Sequence, residues 1–199
     1  MRTVWVASAV PEARTVRGAK SVRTVPTVGR WSRGPGWHPV FEGEAHIATD
    51  PYDLQRFLEA QRGAYERACA ELREGCKRSH WMWFVFPQLE GLGTSAMARR
   101  YAIRSLDEAR AYLAHPVLGP RLRECTQLVN AVQRVTIDAI LGHPDDLKFR
   151  SSMTLFARAT PDNGEFLEAL RRYFGGSSDP ATLARLGAGA SVPHGRDPG

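Results

Sequence analysis

The sequence feature that most constrains the fold is an aromatic run, defined here as residues 77–88, KRSHWMWFVFPQ. Aromatic side chains bring a large apolar area, and each indole N–H needs a hydrogen-bond acceptor once it is buried. We therefore expect the run to belong to the core. Its periodicity fits a buried strand as well as a helix, and Ser79 as a potential N-cap with Pro87 as a terminator favours a helix.

Basic residues are concentrated at the N-terminus. Residues 1–41 contain seven basic residues and one acidic residue, whereas residues 42–199 contain twenty of each. The net charge of +6 therefore belongs to the N-terminal stretch, and the remainder lacks the basic excess that a phosphate backbone would require. No apolar stretch approaches the ~20 residues of a membrane span. We predict neither a nucleic-acid partner nor a membrane partner.

Cysteine usage indicates a reducing environment. Cys69, Cys76 and Cys125 are odd in number and lack the spacing of a zinc site or a disulfide framework. We therefore predict no metal, no cofactor and a cytoplasmic location. No feature of the sequence indicates an oligomeric state.

The chain divides into one domain and two tails. Residues 1–48 lack periodicity and contain several prolines, so we predict a disordered basic extension or an over-long reading frame; their Arg-rich, acid-poor composition also fits a targeting peptide. Residues 188–199 are rich in Gly, Ala and Pro and are predicted to be a disordered tail. Residues 49–187 are predicted to form a compact, mainly α bundle of about seven to eight short helices.

Helix ends are marked by capping residues and glycines. One amphipathic helix is predicted from Asp50-Pro51 to Gly75, with Gln61 on its apolar face bonded to nearby backbone. The other boundary signals are the Ser105 to Glu108 capping box, the Thr136 to Gly142 segment, the start at Pro144-Asp145-Asp146, and the start at Asp179-Pro180.

The first candidate site is the basic end of the aromatic run. Lys77, Arg78 and His80 would border a rigid apolar wall, where they could bind a phosphate or carboxylate group. A flat ring could then stack on Trp81 or Trp83. A solvated basic turn before a core element explains the same residues, so both interpretations stay open.

The second candidate site is the polar stretch of the helix that follows Pro144. Asp145, Lys148 and Ser152 share one helix face at three- and four-residue spacing, and Arg150 adds a second cation. Such a face could present a cation and a hydroxyl to a ligand. The alternative is that the serines bond to the preceding turn of the helix.

Several ordered motifs resemble the domain-of-unknown-function 1810 (DUF1810) family over about residues 50–187. They are DLQRF with AQ near residue 60, the aromatic run, GLG at 91–93, EARAYL followed by HP, and DDLK followed by SSMTLF. The resemblance implies a compact, mainly helical intracellular domain of bacterial type. The label "calpastatin" sometimes attached to such proteins has no support in these residues. Residues 111–124 are more faintly similar to the NADAR family of ADP-ribose-linked glycosidases, and no catalytic residue is carried over from it.

These observations lead to one functional hypothesis and one alternative. We expect a pocket between the aromatic run and the polar helix that binds or hydrolyses an anionic, nucleotide-like or phosphosugar ligand. Lys77, Arg78, Lys148, Arg150 and Ser152 would hold its anionic part, and Trp81 or Trp83 its ring. His80 or Asp146 would be the acid–base residue if the ligand is hydrolysed. The alternative is a non-catalytic protein-interaction module with Trp and Arg anchors.

Overall fold

A computed structural model describes residues 50–189, which form ten helices and no strand. The predicted mainly α fold is confirmed. Seven helices have seven or more residues, and three have four or five. In order they are α1 Gln55–Gln61, α2 Tyr65–Arg73, α3 Met82–Val85, α4 Ala96–Arg100, α5 Leu106–Ala114, α6 Leu118–Ala131, α7 Ile137–Leu141, α8 Asp145–Ala159, α9 Gly164–Phe174 and α10 Pro180–Gly189. The predicted N-terminal extension and most of the predicted C-terminal tail lie outside the described residues.

Helix α8 is the centre of the described domain. It packs against α5, α7, α9 and α10, and nine of its fifteen residues are buried. Helix α6 joins this layer through α5 and α9, and α2 packs on α6. No helix within residues 50–189 is long and apolar enough to cross a membrane.

From Trp81 to Phe86 the aromatic run lies in the core, as predicted, with Trp83 half-buried. Trp81 is buried to 1% exposure and Phe86 completely, and the rings of Phe86 and Phe149 meet edge to face at 4.9 Å between centroids. The helical interpretation holds only for α3, because Phe86 leaves helical conformation just before Pro87. Beyond α3, the backbone of Gln88 and Glu90 pairs with Ile103 in a single isolated bridge.

The single helix predicted between residues 50 and 75 is wrong, because the chain forms two helices there. Arg62 takes an extended conformation and Gly63 a positive φ of 75°, so α1 ends at Gln61. The predicted role of Gln61 is confirmed. Its amide donates to the carbonyl of Phe84 at 2.8 Å and to the hydroxyl of Tyr112 at 3.1 Å.

The capping predictions describe the other boundaries well. The Ser105 hydroxyl accepts from the N–H of Glu108 at 3.1 Å at the start of α5. Thr136 and Gly142 flank α7. The carboxylate of Asp179 accepts from the N–H of Thr182 at 2.8 Å in the first turn of α10. Each signal is local, so it acts with little dependence on the tertiary fold.

A buried ion pair joins α1 to the start of α5. Arg56 is 7% exposed and bonds to Glu108, which is 1% exposed, at 2.6 Å. The same guanidinium also donates to the carbonyls of Tyr52, Asp53, Arg100 and Ala102. Glu108 further accepts from the N–H of Arg104 at 2.9 Å. The desolvation of both charges is thus offset by a nearly complete set of hydrogen bonds.

We predict that Arg56→Met lowers the free energy of unfolding by about 3–5 kcal/mol, because it leaves the Glu108 carboxylate buried without its cation. Urea unfolding at neutral pH measures the loss. Arg110→Met is the control, since Arg110 pairs with Asp107 on the surface and its loss should cost less than about 1 kcal/mol. Equal losses in the two variants would contradict the prediction.

Candidate functional site

Two lysines from distant parts of the chain meet at one carboxylate. The Nζ atom of Lys77 lies 2.7 Å from Oδ2 of Asp145, and the Nζ atom of Lys148 lies 2.6 Å from Oδ1. We call these three residues the two-lysine cluster. Their side chains are 9%, 15% and 22% exposed for Lys77, Asp145 and Lys148, so the cluster is recessed but reaches solvent.

Backbone contacts bring the two halves of the cluster together. The N–H of Lys77 donates to the carbonyl of Ile140 in α7 at 2.7 Å, which places the residue beside the α7–α8 connection. Gly142, with a φ of 78°, ends α7 and lets the chain turn into α8. Asp145 and Lys148 follow in the first turn of α8, three residues apart on one face.

A buried carboxylate fixes the turn that follows Lys77. Glu71, 6% exposed, accepts four hydrogen bonds: from the N–H groups of Arg78 (2.9 Å) and Ser79 (3.1 Å), the Ser79 hydroxyl (2.6 Å) and the Trp81 indole (2.8 Å). Burial raises the pKa of Glu71, but the bonds from Ser79, Arg78 and Trp81 outweigh it and lower the pKa to about 2. Ser79 therefore anchors the turn through Glu71 instead of capping α3.

Each lysine of the cluster lies over a tryptophan. The Nζ atom of Lys77 is 5.3 Å from the ring centroid of Trp81, and that of Lys148 is 5.0 Å from Trp83. Trp81 is buried and its N–H is already bonded to Glu71, so it cannot stack on a ligand. Trp83 is half-buried and keeps part of its ring accessible. Of the two predicted stacking residues, only Trp83 is available.

The cluster carries a net charge of +1. Burial raises the pKa of Asp145, but hydrogen bonds and charges from Lys148 and Lys77 outweigh it and hold that pKa below its usual value. Asp145 is therefore ionised at neutral pH. Each ammonium has three donor hydrogens, and within the described residues each bonds to one acceptor, Asp145. The remaining donors can serve an anion.

Lysine is rare in this chain, which makes the pair notable. The sequence contains three lysines and twenty-four arginines, and Lys77 and Lys148 are the only lysines in residues 50–189. An arginine has a planar fork that holds carboxylates in fixed geometry, whereas a lysine is a compact charge with rotatable donors. Both compact cations of the described domain therefore lie at one place.

Four other predicted site residues make no hydrogen bond or ion pair to the cluster. Arg78 is exposed and pairs with Glu74, and His80 is exposed without a hydrogen bond or ion pair to any described residue. Arg150 donates to the carbonyls of Ser177 and Ser178, both at 3.1 Å. The side chain of Ser152 is fully buried, and its hydroxyl bonds to no described residue.

The structure gives roles to two further residues: Asp145, which the sequence analysis placed on the polar helix face, and His143, which it did not assign to the site. Asp145 is the acceptor that joins the lysines, and His143 lies 3.2 Å from the carboxylate of Asp146 through its Nδ1 atom. His143 is 70% exposed, whereas Asp146 is 16% exposed. The three-residue spacing between 143 and 146 was the available signal for His143.

Comparison with known proteins identifies the family. The sequence profile of a family described as "protein of unknown function (DUF1810)" matches residues 51–186. The chain belongs to the DUF1810 family. A similar solved structure is that of the conserved hypothetical protein Rv1873 from Mycobacterium tuberculosis, with 59% identity, a TM-score of 0.69, and coverage of 69% of this chain and 99% of that one. Comparison with curated proteins gave no match.

The DUF1810 resemblance in the sequence is therefore confirmed, and the matched region contains α1 to α9 and the two-lysine cluster. Neither comparison assigns an activity or a ligand. The fainter resemblance to NADAR glycosidases stays a prediction.

For this DUF1810 domain, we predict that Glu71→Gln lowers the free energy of unfolding by about 2 kcal/mol at neutral pH, because a neutral amide is a weaker acceptor for the four donors. The folded-state pKa is about 2, below the ordinary value of 4.5. The stabilisation is thus complete above pH 4.5 and is lost as the pH falls towards 2. Urea unfolding of both proteins at neutral pH and at about pH 3 should show the difference shrinking in acid.

Glu74→Gln is the matched control, since Glu74 lies three residues further along and its only side-chain partner among the described residues is exposed Arg78. The free energy of unfolding of Glu74→Gln should differ little from that of the unsubstituted protein at either pH. A loss of unfolding free energy in Glu71→Gln that is the same at both pH values would contradict the prediction.

Proposed function

We propose that the two-lysine cluster of this DUF1810 protein binds a small anionic ligand that carries phosphate groups and a flat ring, such as a nucleotide or ADP-ribose. The observation that carries the proposal is the convergence of Lys77 and Lys148 on Asp145 at a recessed, net positive position. The phosphate group would bond to the free donors of both ammonium groups.

The surroundings of the cluster support a ring-bearing ligand. Trp83 lies under Lys148 and is half-buried, so its exposed part can stack on a base while the ammonium holds the phosphate. A protein-interaction module would need exposed anchors, and the burial of Trp81 removes one of the two tryptophan candidates from that role. We therefore favour the ligand-binding function.

The proposed function is binding, and hydrolysis would require an acid–base group beside the cluster. Asp146, which holds His143, directly follows Asp145 in α8. His80 is three residues from Lys77 in the chain and exposed. Both remain predicted acid–base residues.

We predict that ADP-ribose, ATP or inorganic pyrophosphate raises the melting temperature of the full chain, and that Lys148→Met weakens the binding about tenfold or more, because one charge-assisted hydrogen bond is lost. Thermal shift followed by calorimetry measures both effects. Arg110→Met is the control, since it removes a surface cation from α5 and leaves the cluster intact.

Trp83→Leu separates the two parts of the proposal. It should weaken the binding of ADP-ribose and ATP, which carry a ring, and leave the binding of pyrophosphate unchanged. The binding proposal fails if none of the three probes binds at millimolar concentration, or if Lys148→Met and Arg110→Met bind equally well.

A further inference from the structure

Two cysteines that are distant in sequence lie side by side in the core. The Sγ atoms of Cys69 in α2 and Cys125 in α6 are 4.0 Å apart. Their exposures are 1% and 0%, and both are free thiols. A disulfide requires an S–S distance of about 2.05 Å, so each sulfur would move by about 1 Å. Such a shift is within reach of a side-chain rotation between two packed helices.

The surroundings of the pair favour ionisation of one thiol over the other. The Cys125 thiol lowers the pKa of Cys69 by hydrogen bonding to it, and burial opposes this effect. The same pairing and burial raise the pKa of Cys125. Cys69 is therefore the nucleophile of the pair, since the thiolate is the reactive form.

A polar edge closes the pair off from solvent. Tyr65 is 8% exposed and donates its hydroxyl to Glu124, which also bonds to Arg73 at 3.2 Å. Glu124 and Arg73 are about half exposed, so this polar edge itself reaches solvent.

We propose that Cys69 and Cys125 are a modification site at which a small hydroperoxide forms a reversible disulfide between α2 and α6. The proposal is independent of the ligand-binding function. It is consistent with a reducing environment, because the pair is a dithiol until an oxidant arrives.

The proposed reaction takes two steps. The Cys69 thiolate attacks the peroxide, the O–O bond breaks, hydroxide leaves, and Cys69 becomes a sulfenic acid. The Cys125 sulfur then attacks the sulfenic sulfur, the S–S bond forms, and the S–O bond breaks. The hydroxide released takes up the Cys125 proton as water. Overall, two thiols and hydrogen peroxide give one disulfide and two molecules of water, and a dithiol reductant reverses the change.

Cys76 provides an internal reference. It is exposed, so bulky reagents will modify it first, and its replacement by Ser removes intermolecular disulfides. The test therefore uses the full chain with Cys76→Ser, treated with hydrogen peroxide. After removal of the peroxide, the protein is unfolded in the presence of a maleimide, and its intact mass and peptide map are measured.

The expected product has lost two hydrogen atoms, takes up no maleimide, and yields a peptide pair joined through Cys69 and Cys125. Dithiothreitol should restore two reactive thiols. The urea midpoint of unfolding should rise on oxidation and fall again on reduction, because the cross-link spans 56 positions of the unfolded chain. Cys125→Ala in the same background should show neither the mass change nor the reversible midpoint.

Two results would overturn the proposal. In the first, both thiols still take up maleimide after a peroxide treatment that fully oxidises Cys76 in the unmodified chain. In the second, Cys69 gains oxygen atoms as a sulfinic acid without forming the cross-linked peptide. Neither result requires a variant with a substituted core cysteine to fold, since Cys69 and Cys125 are both intact in the Cys76→Ser protein.

Discussion

The buried carboxylate of Glu71 is the interaction on which the rest of this architecture depends. It accepts hydrogen bonds from four donors in the first residues of the aromatic run, and these bonds fix where the run enters the core. Trp81 is one of these donors, and its burial sets the position of α3. Lys77 lies immediately before the anchored turn, so the Glu71 contacts support its place beside α8 together with its own bonds to Ile140 and Asp145.

Helix α8 divides its polar residues between two tasks. In the first turn of α8, Asp145 and Lys148 face the aromatic run and form the two-lysine cluster with Lys77. Further along, the Ser151 hydroxyl donates to Asp179, and the Thr154 hydroxyl accepts from the N–H of Asp179. The second group holds the start of α10 against the centre of the domain. The polar residues in the later turns of α8 are thus explained mainly by their hydrogen bonds to the segment that starts α10.

Local signals were sufficient for most of the fold and for part of the site. Capping at Ser105 and Asp179 depends on neighbours within a few residues, so sequence alone reveals it. The break at Gly63 was missed because the apolar spacing continues across it. The pairing of Lys77 with Asp145 could not be predicted, since it depends on how α7 and α8 pack beside the end of α2. Arg150 was predicted to hold a ligand, but it donates to two backbone carbonyls that only the fold brings near it.

The scarcity of lysine has a consequence for the chemistry of the whole domain. Arginine keeps its charge under nearly all conditions, whereas the charge of lysine can be removed by acetylation. Within residues 50–189, the only side-chain amines belong to Lys77 and Lys148. A reagent or enzyme that acylates lysine would therefore change the charge of this region only where both ammonium groups meet Asp145. The Asp145 carboxylate would then be left without a counter-ion.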